Sequence, residues 1–160
     1  MEKPIVIYTD HIMNRTLCYN FAKGSDSLLC HVDNFKEYDK TIATYGTLRG
    51  TFEVIKKQLS ILPDQIRGKN LDIAYEPVWA IGTGLVASKQ YIEDVLSYIN
   101  NLIKELYYDE DRPNIRLFYG GSVDENSVEE LSSISLLDGF LIGSASADFE
   151  KFKNMLNKMR

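Results

Sequence analysis

The sequence predicts an α/β protein whose strands form one parallel sheet. Short apolar runs typical of buried strands alternate with longer segments in which apolar residues recur at helical spacing. Such alternation is typical of βα units joined by right-handed crossovers. We count five strands and expect a single domain over residues 1–160, because this length suffices for one hydrophobic core.

The five strands are predicted over residues 4–8, 27–32, 71–76, 115–119 and 139–142. Apolar stripes predict helices over residues 45–62 and 92–106, the second of them capped by Ser88. A short helix is expected to hold Val128 and Leu131. The last helix is expected to bury five apolar side chains: Phe149, Phe152, Met155, Leu156 and Met159.

A carboxylate stands where the third strand ends. Glu76 comes after a buried run and precedes Pro77, which cannot donate to a sheet ladder, so the strand should end at Glu76. Ligands bind at the carboxyl ends of strands in open α/β sheets and in barrels. An isolated Glu-Pro pair is more often only a strand end, so a functional role for Glu76 depends on the loop that begins at Pro77.

This loop has an apolar tip and two glycines. Trp79, Ala80 and Ile81 are costly to expose unless they cover something, and Gly82 and Gly84 can bring backbone N–H groups close to an anion. This combination favours a lid that excludes water from a site. The predicted lid consists of Pro77, Val78, Trp79, Ala80, Ile81, Thr83 and Gly84, around Gly82.

The run AYEPVWAIGTG, residues 74–84, resembles the active-site motif of the triosephosphate isomerase family. Residues 119–123 and 138–143 resemble that family's next two loops, in the same order. The resemblance implies parallel βα units of a TIM (β/α)8 barrel. The barrel would be incomplete, since a full one takes about 250 residues. The count and order of the five strands match the family's last five, and its first three have no counterpart.

The resemblance implies an isomerase of glycolysis and gluconeogenesis. It would interconvert dihydroxyacetone phosphate and glyceraldehyde 3-phosphate through an enediolate, with no cofactor and no metal. Glu76 matches the catalytic base, and a gapless overlay of the first strand's end puts His11 on the catalytic histidine. The family is itself the usual example of a glutamate base beside a neutral histidine electrophile. A lone histidine is otherwise more often a surface or core residue.

Three consecutive strand ends present glycine or serine N–H groups that suit a phosphate. The candidates are Gly82, Ser122, Gly143 and Ser144, and barrel enzymes often bind phosphate at their last two loops. Each loop taken alone could be an ordinary turn. Ser144 replaces the family's usual glycine and would be strained if its φ were positive.

Two departures from the family keep other functions open. No Asn-x-Lys follows a strand here, although the family's catalytic lysine lies in such a motif. An unclosed parallel sheet would also leave two edges and one uncovered face, which invites association. The alternatives are a catalytically inactive half-barrel, used as a binding or structural subunit, and a phosphate-binding module of another barrel enzyme.

Composition excludes several other classes of function. A net charge of −5 without a Lys/Arg cluster argues against a nucleic-acid surface. No apolar run reaches the length of a membrane span. Cys18 and Cys30 have no metal-ligand spacing, which fits a reduced, cytoplasmic compartment. The expected partners are a small phosphorylated sugar and, through the open sheet, a second copy or a complementing chain.

Overall fold

Five parallel strands form one sheet in the computed structural model of the chain. The structure describes residues 5–7, 27–33, 48–60, 62, 64–80 and 83–159. The strands are β1 (Ile5–Ile7), β2 (Ser27–Asp33), β3 (Asn70–Glu76), β4 (Asn114–Gly120) and β5 (Gly139–Ile142). The helices are α1 (Leu48–Leu59), α2 (Lys89–Leu106), α3 (Val128–Ser132) and α4 (Phe149–Lys158). The predicted α/β class and the five strands are confirmed.

The order of the strands across the sheet is β1-β5-β4-β3-β2. From β2 to β5, each strand pairs in parallel with the next one along the chain. β1 differs, because the register pairs Ile5 with Phe140 of β5, whereas the last five strands of a barrel would put it beside β2. Pairing with β1 covers the backbone edge that β5 would otherwise expose. Among the described residues, no ladder joins β1 to β2.

One face of the central strands packs against the helices. Ile73 and Tyr75 of β3 and Leu117 and Tyr119 of β4 all point into the same apolar core, as the two-residue period of a strand requires. α2 supplies the largest helical contribution to this core, through Ile92, Val95, Leu96, Ile99, Leu102 and Ile103, all of them buried.

The helix boundaries agree with the predicted ones to within a few residues. The Ser88 side chain caps α2 as expected and accepts a hydrogen bond from the Tyr91 N–H at 3.3 Å. α1 ends at Leu59, before the predicted end at residue 62, and buries Thr51, Ile55 and Leu59. Its predicted start at Tyr45 lies outside the described residues. Within the described part of the chain, no helix combines the length and hydropathy needed to cross a membrane.

The opposite face of the sheet is covered at its centre, contrary to the expectation of an uncovered face. Ala74, Phe118 and Leu141 form a small buried cluster there. Arg116 donates two hydrogen bonds to the Asp72 carboxylate, at 2.7 and 2.6 Å, from the neighbouring strand position. The Arg116 guanidinium also lies 5.7 Å from the centre of the Phe118 ring. The centre of this face is therefore buried within the chain.

The prediction for α4 is partly wrong. Met155 is buried, and Phe152 and Met159 pack against the core from half-buried positions. Phe149 is 72% exposed and Leu156 is 40% exposed. Residues 152, 155 and 159 lie on one side of the helix, whereas residues 149 and 156 lie beyond its edge. The helix therefore buries a narrower stripe than its apolar spacing suggests.

This difference along α4 can be tested by unfolding measurements. Met155→Ala should lower the free energy of unfolding by about 2–5 kcal/mol, because it empties a filled core position. Phe149→Ala should change it by no more than about 0.5 kcal/mol, because the ring faces solvent. Urea unfolding followed by circular dichroism measures both. Equal losses for the two variants would show that Phe149 is a core residue after all.

Candidate active site

Glu76 and three of the predicted phosphate-facing residues lie at the carboxyl end of the sheet. β3, β4 and β5 are parallel, so their carboxyl ends meet there. Glu76 is the last residue of β3. Ser122 follows the end of β4, and Gly143 and Ser144 follow the end of β5. The predicted carboxylate and these three residues therefore share one end of the sheet.

Other predicted site residues lie outside the described part of the chain. They are His11, Gly82 and the lid residue Ile81. β1, the strand that precedes His11, pairs with β5 and not with β2, so its neighbour differs from the one that the family overlay assumed. The catalytic role of His11 stays a prediction.

The side chain of Glu76 lies across the end of β4. A Cβ atom placed on Gly120 would lie 2.5 Å from Glu76 Cγ and 2.7 Å from Cδ, closer than real Cβ contacts come. Glu76 and Gly120 themselves are half-buried and buried. Position 120 must therefore be glycine for the Glu76 carboxylate to keep this orientation.

The lid folds back on itself directly after Glu76. Val78–Ala80 form a single 3-10 turn, closed by a 2.8 Å hydrogen bond from the Ala80 N–H to the Pro77 carbonyl. The Thr83 hydroxyl donates to the Trp79 carbonyl at 3.0 Å. Ala80 is fully buried, and Trp79 packs against the core from a half-buried position. Two of the three apolar tip residues are therefore turned inward, as a covering lid requires.

Two side chains, Tyr119 at the end of β4 and Ser122 in the loop after it, hold the lid and the segment that follows the lid. The Ser122 hydroxyl donates to the Ala80 carbonyl at 2.5 Å and accepts from the Gly84 N–H at 3.1 Å. The Tyr119 hydroxyl accepts from the Ala87 N–H at 3.3 Å. Ser122 reaches this position with a φ of +50°, which is unusual for a residue with a side chain. Ser122 thus holds the lid at Ala80 and Gly84, while Tyr119 holds Ala87, three residues beyond the end of the lid.

The Tyr119 hydroxyl stays protonated over the physiological range. Burial raises the pKa of Tyr119 to about 12, although the hydrogen bond from Ala87 lowers it, and the charge of Glu76 adds to the rise. The neutral hydroxyl keeps one proton to donate, and it lies 3.4 Å from the Gly121 carbonyl oxygen. It can therefore accept from Ala87, just after the lid, and donate to the β4 loop at the same time.

An open cleft of about 620 Å³ lies beside these loops. Gly84, Ser122 and Ser144 line it, one from each of the loops that follow β3, β4 and β5. Ser144 begins a 3-10 turn and is not among the residues with positive φ, so the strain considered for it does not arise. Gly143 precedes that turn with a φ of −84°.

The charges around the cleft are mostly negative. Asp124, Glu125 and Asp148 line it, and Lys151 is the one cation among its described lining residues. Burial raises the pKa of Asp124, but hydrogen bonds from Ser127 and Asn126 outweigh this and hold the pKa below its ordinary value. Asp124 is therefore ionised at neutral pH. Within the described residues, no group of three His, Cys, Asp or Glu side chains is arranged to hold a metal ion.

Comparison with known proteins agrees with this geometry. The family model for triosephosphate isomerase matches residues 3–159. The chain belongs to the triosephosphate isomerase family. A triosephosphate isomerase from Alkaliphilus metalliredigens is 43% identical over 154 residues, and one from Mycoplasma genitalium is 31% identical over 153 residues. The predicted family membership is confirmed.

Relatives in the triosephosphate isomerase family are longer than this chain. The match covers 93% of the chain but 58% of the Alkaliphilus protein, and 82% of the chain but 63% of the Mycoplasma protein. A crystal structure of triosephosphate isomerase from Bartonella henselae superposes with a TM-score of 0.62 at 30% identity. That superposition covers 81% of the chain and 49% of the Bartonella chain. The chain thus corresponds to roughly half to two thirds of an isomerase of this family.

Sequence reasoning missed the residues that support the isomerase motif. The sequence presents Gly120 only as part of a turn, although its place beside the end of β3 is what accommodates Glu76. It presents Tyr119 only as a strand residue and gives no sign of the bond between its hydroxyl and Ala87. Neither contact could have been found from the alternation along β4 alone, because both depend on how β4 lies against β3.

The contact between Glu76 and Gly120 can be tested by a double-mutant cycle. Gly120→Ala should cost about 1–3 kcal/mol of unfolding free energy, because the new methyl overlaps the Glu76 side chain. Most of the cost should disappear in a Glu76→Ala background. The same cost in both backgrounds would mean that Gly120 is required for another reason.

Proposed function

We propose that this protein acts as a triosephosphate isomerase, interconverting dihydroxyacetone phosphate and glyceraldehyde 3-phosphate, with Glu76 as the base. The position of Glu76 carries the proposal. Its carboxylate lies at the carboxyl end of β3, over Gly120, which leaves room for it. The apolar lid, held by Ser122, follows directly. A strand end with only a structural role needs neither the glycine nor the loop.

The proposed reaction moves a proton between two neighbouring carbons. The Glu76 carboxylate would remove the proton from the carbon beside the carbonyl, which leaves an enediolate, and would return it to the adjacent carbon, while the hydroxyl proton passes from the oxygen of the first carbon to the former carbonyl oxygen. One carboxylate can perform both steps because substrate and product have the same number of protons. His11 is the proposed electrophile at the carbonyl oxygen. Neither step requires a metal or an organic cofactor.

The lid would protect the enediolate from water, and the three loops would hold the phosphate of the substrate. An enediolate is reactive toward water and protons, so a loop that excludes water protects it. The bonds of Ser122 hold the lid in place, and the bond from Ala87 to Tyr119 holds the segment that follows it. Backbone N–H groups near Ser122, Gly143 and Ser144, with Gly82, are the proposed anchor for the phosphate. The proposed setting is glycolysis and gluconeogenesis in the cytoplasm, with a second copy or a complementing chain as the proposed partner.

Replacing the proposed base tests the assignment directly. Glu76→Gln keeps the size of the side chain but cannot accept the proton, so kcat/KM should fall by about 10²–10⁴-fold or more. A coupled isomerase assay measures the rate, and far-UV circular dichroism with thermal unfolding checks that the fold is retained. Equal activity of the parent and a folded Glu76→Gln variant would exclude Glu76 as the base.

A second candidate is a catalytically inactive half-barrel that serves as a binding or structural subunit. The charge of the cleft favours it, because Asp124, Glu125 and Asp148 face one cation, Lys151, among the described lining residues. Such a surface repels a phosphate dianion unless N–H groups offset the repulsion. Anion binding therefore distinguishes the two candidates.

Phosphoglycolate is a suitable anion for this measurement. The parent should bind it, and Ser122→Asp should abolish binding by adding a negative charge where the phosphate is proposed to lie. Ser122→Asn is the matched control, since asparagine also tolerates a positive φ but carries no charge. Isothermal titration calorimetry compares the three proteins. No binding by the folded parent would favour the inactive half-barrel, and equal binding by Ser122→Asp would place the anchor elsewhere.

A further inference from the structure

Tyr91 contacts the lid from the first turn of α2. The centres of the Trp79 and Tyr91 rings are 6.1 Å apart, and the ring planes meet at 77°. This edge-to-face geometry is the favourable one for an aromatic pair. Within the described residues, the buried Trp79 Nε1–H has no hydrogen-bond partner. The position of the Trp79 ring therefore depends on packing, and Tyr91 supplies an aromatic surface for it.

The Tyr91 ring is itself held by two other elements of the fold. Its hydroxyl lies 2.7 Å from the Thr51 hydroxyl of α1 and 3.4 Å from the Tyr75 hydroxyl of β3. Thr51 is 1% exposed and Tyr75 is fully buried. Tyr75 also immediately precedes Glu76 in β3. One side chain thus connects α1, β3 and the lid.

We infer that Tyr91 is a positioning residue that fixes the Trp79 side of the lid to the buried core of the molecule. Its ring contacts Trp79, while its hydroxyl bonds keep the ring at a fixed angle. It acts through Trp79 and has no role at the reacting atoms. The effect on catalysis rests on the proposed isomerase function, whereas the effect on the lid does not.

Trp79 is the single tryptophan of the sequence, so its fluorescence reports on the lid without a label. Excitation at the red edge of the absorption band avoids the tyrosines. The readouts are the emission maximum, the anisotropy and the quenching by acrylamide. They need neither a substrate nor an active enzyme, so they remain informative if the isomerase assignment fails.

Tyr91→Leu removes the ring contact. The equilibrium between lid positions with a packed Trp79 and positions with an exposed Trp79 should shift about 2- to 10-fold toward the exposed ones. This is the stabilisation that an edge-to-face aromatic pair contributes. Emission should move to longer wavelength and quenching should increase. Tyr98→Leu is the matched control, because Tyr98 lies about two turns farther along α2 and stacks on Phe52 at 4.2 Å. It should leave the Trp79 signals unchanged.

Tyr91→Phe and Thr51→Val test the hydroxyl bond with smaller changes. Each removes one partner of the 2.7 Å contact and leaves the Trp79–Tyr91 rings in place, and Tyr91→Phe also removes the 3.4 Å contact with the Tyr75 hydroxyl. Both should lower the Trp79 anisotropy. The change in the double variant should be smaller than the sum of the two single changes, because both variants lack the 2.7 Å bond. These variants keep the test decisive if Tyr91→Leu does not fold.

Three outcomes would overturn the inference. They are unchanged Trp79 signals in a folded Tyr91→Leu variant, equal changes in Tyr98→Leu, and fully additive changes in the Tyr91→Phe/Thr51→Val pair. If the parent is an active isomerase, Tyr91→Leu should also lower kcat/KM by about 2- to 10-fold, and Tyr98→Leu should not. Altered fluorescence without any parental activity would support the positioning role and count only against the isomerase function.

Discussion

Glu76 reaches over the end of β4 because position 120 has no Cβ atom. Much of the site depends on this contact. The carboxylate needs the space above Gly120, and the alternation along β4 turns Tyr119 to the opposite face, where its hydroxyl accepts from Ala87, just after the lid. The next residues, Gly121 and Ser122, both have positive φ and bring the Ser122 hydroxyl to the lid. The Glu76 carboxylate and the two side chains that hold the loop thus come from positions next to one glycine.

Two of the carboxylates around the cleft accept structural hydrogen bonds that reduce their electrostatic repulsion of an anion. Asp124 accepts hydrogen bonds from the Asn126 and Ser127 N–H groups at 3.0 and 2.9 Å. Asp148 caps α4 by accepting from the first N–H groups of the helix. Backbone donors therefore offset part of each negative charge. Glu125 is different, since its buried Oε2 has no hydrogen-bond partner within the described residues.

Local patterns in the sequence predicted the features that depend on local physics. The alternating strands and helices, the Ser88 cap and the end of β3 at Glu76 follow from spacing, capping and the chemistry of proline. The neighbour of β1 could not be predicted this way, because the period of a strand does not specify its partner. The exposure of Phe149 was also missed, since helical spacing shows where a stripe lies but not how wide it is. The contact of Tyr91 with Trp79 depends on the packing of α2 and is invisible to any local pattern.

The ladder between β1 and β5 affects the order in which the molecule can form. Residue 5 pairs with residue 140, whereas residue 27 of β2 pairs with residue 70 of β3. Closing the longer loop costs only about 1 kcal/mol more, because loop entropy grows slowly with length. The larger effect concerns time. During synthesis β1 is made before the other four described strands, whereas its partner β5 is made after all of them. The β1–β5 ladder therefore cannot form until β2, β3 and β4 are already available to pair with one another.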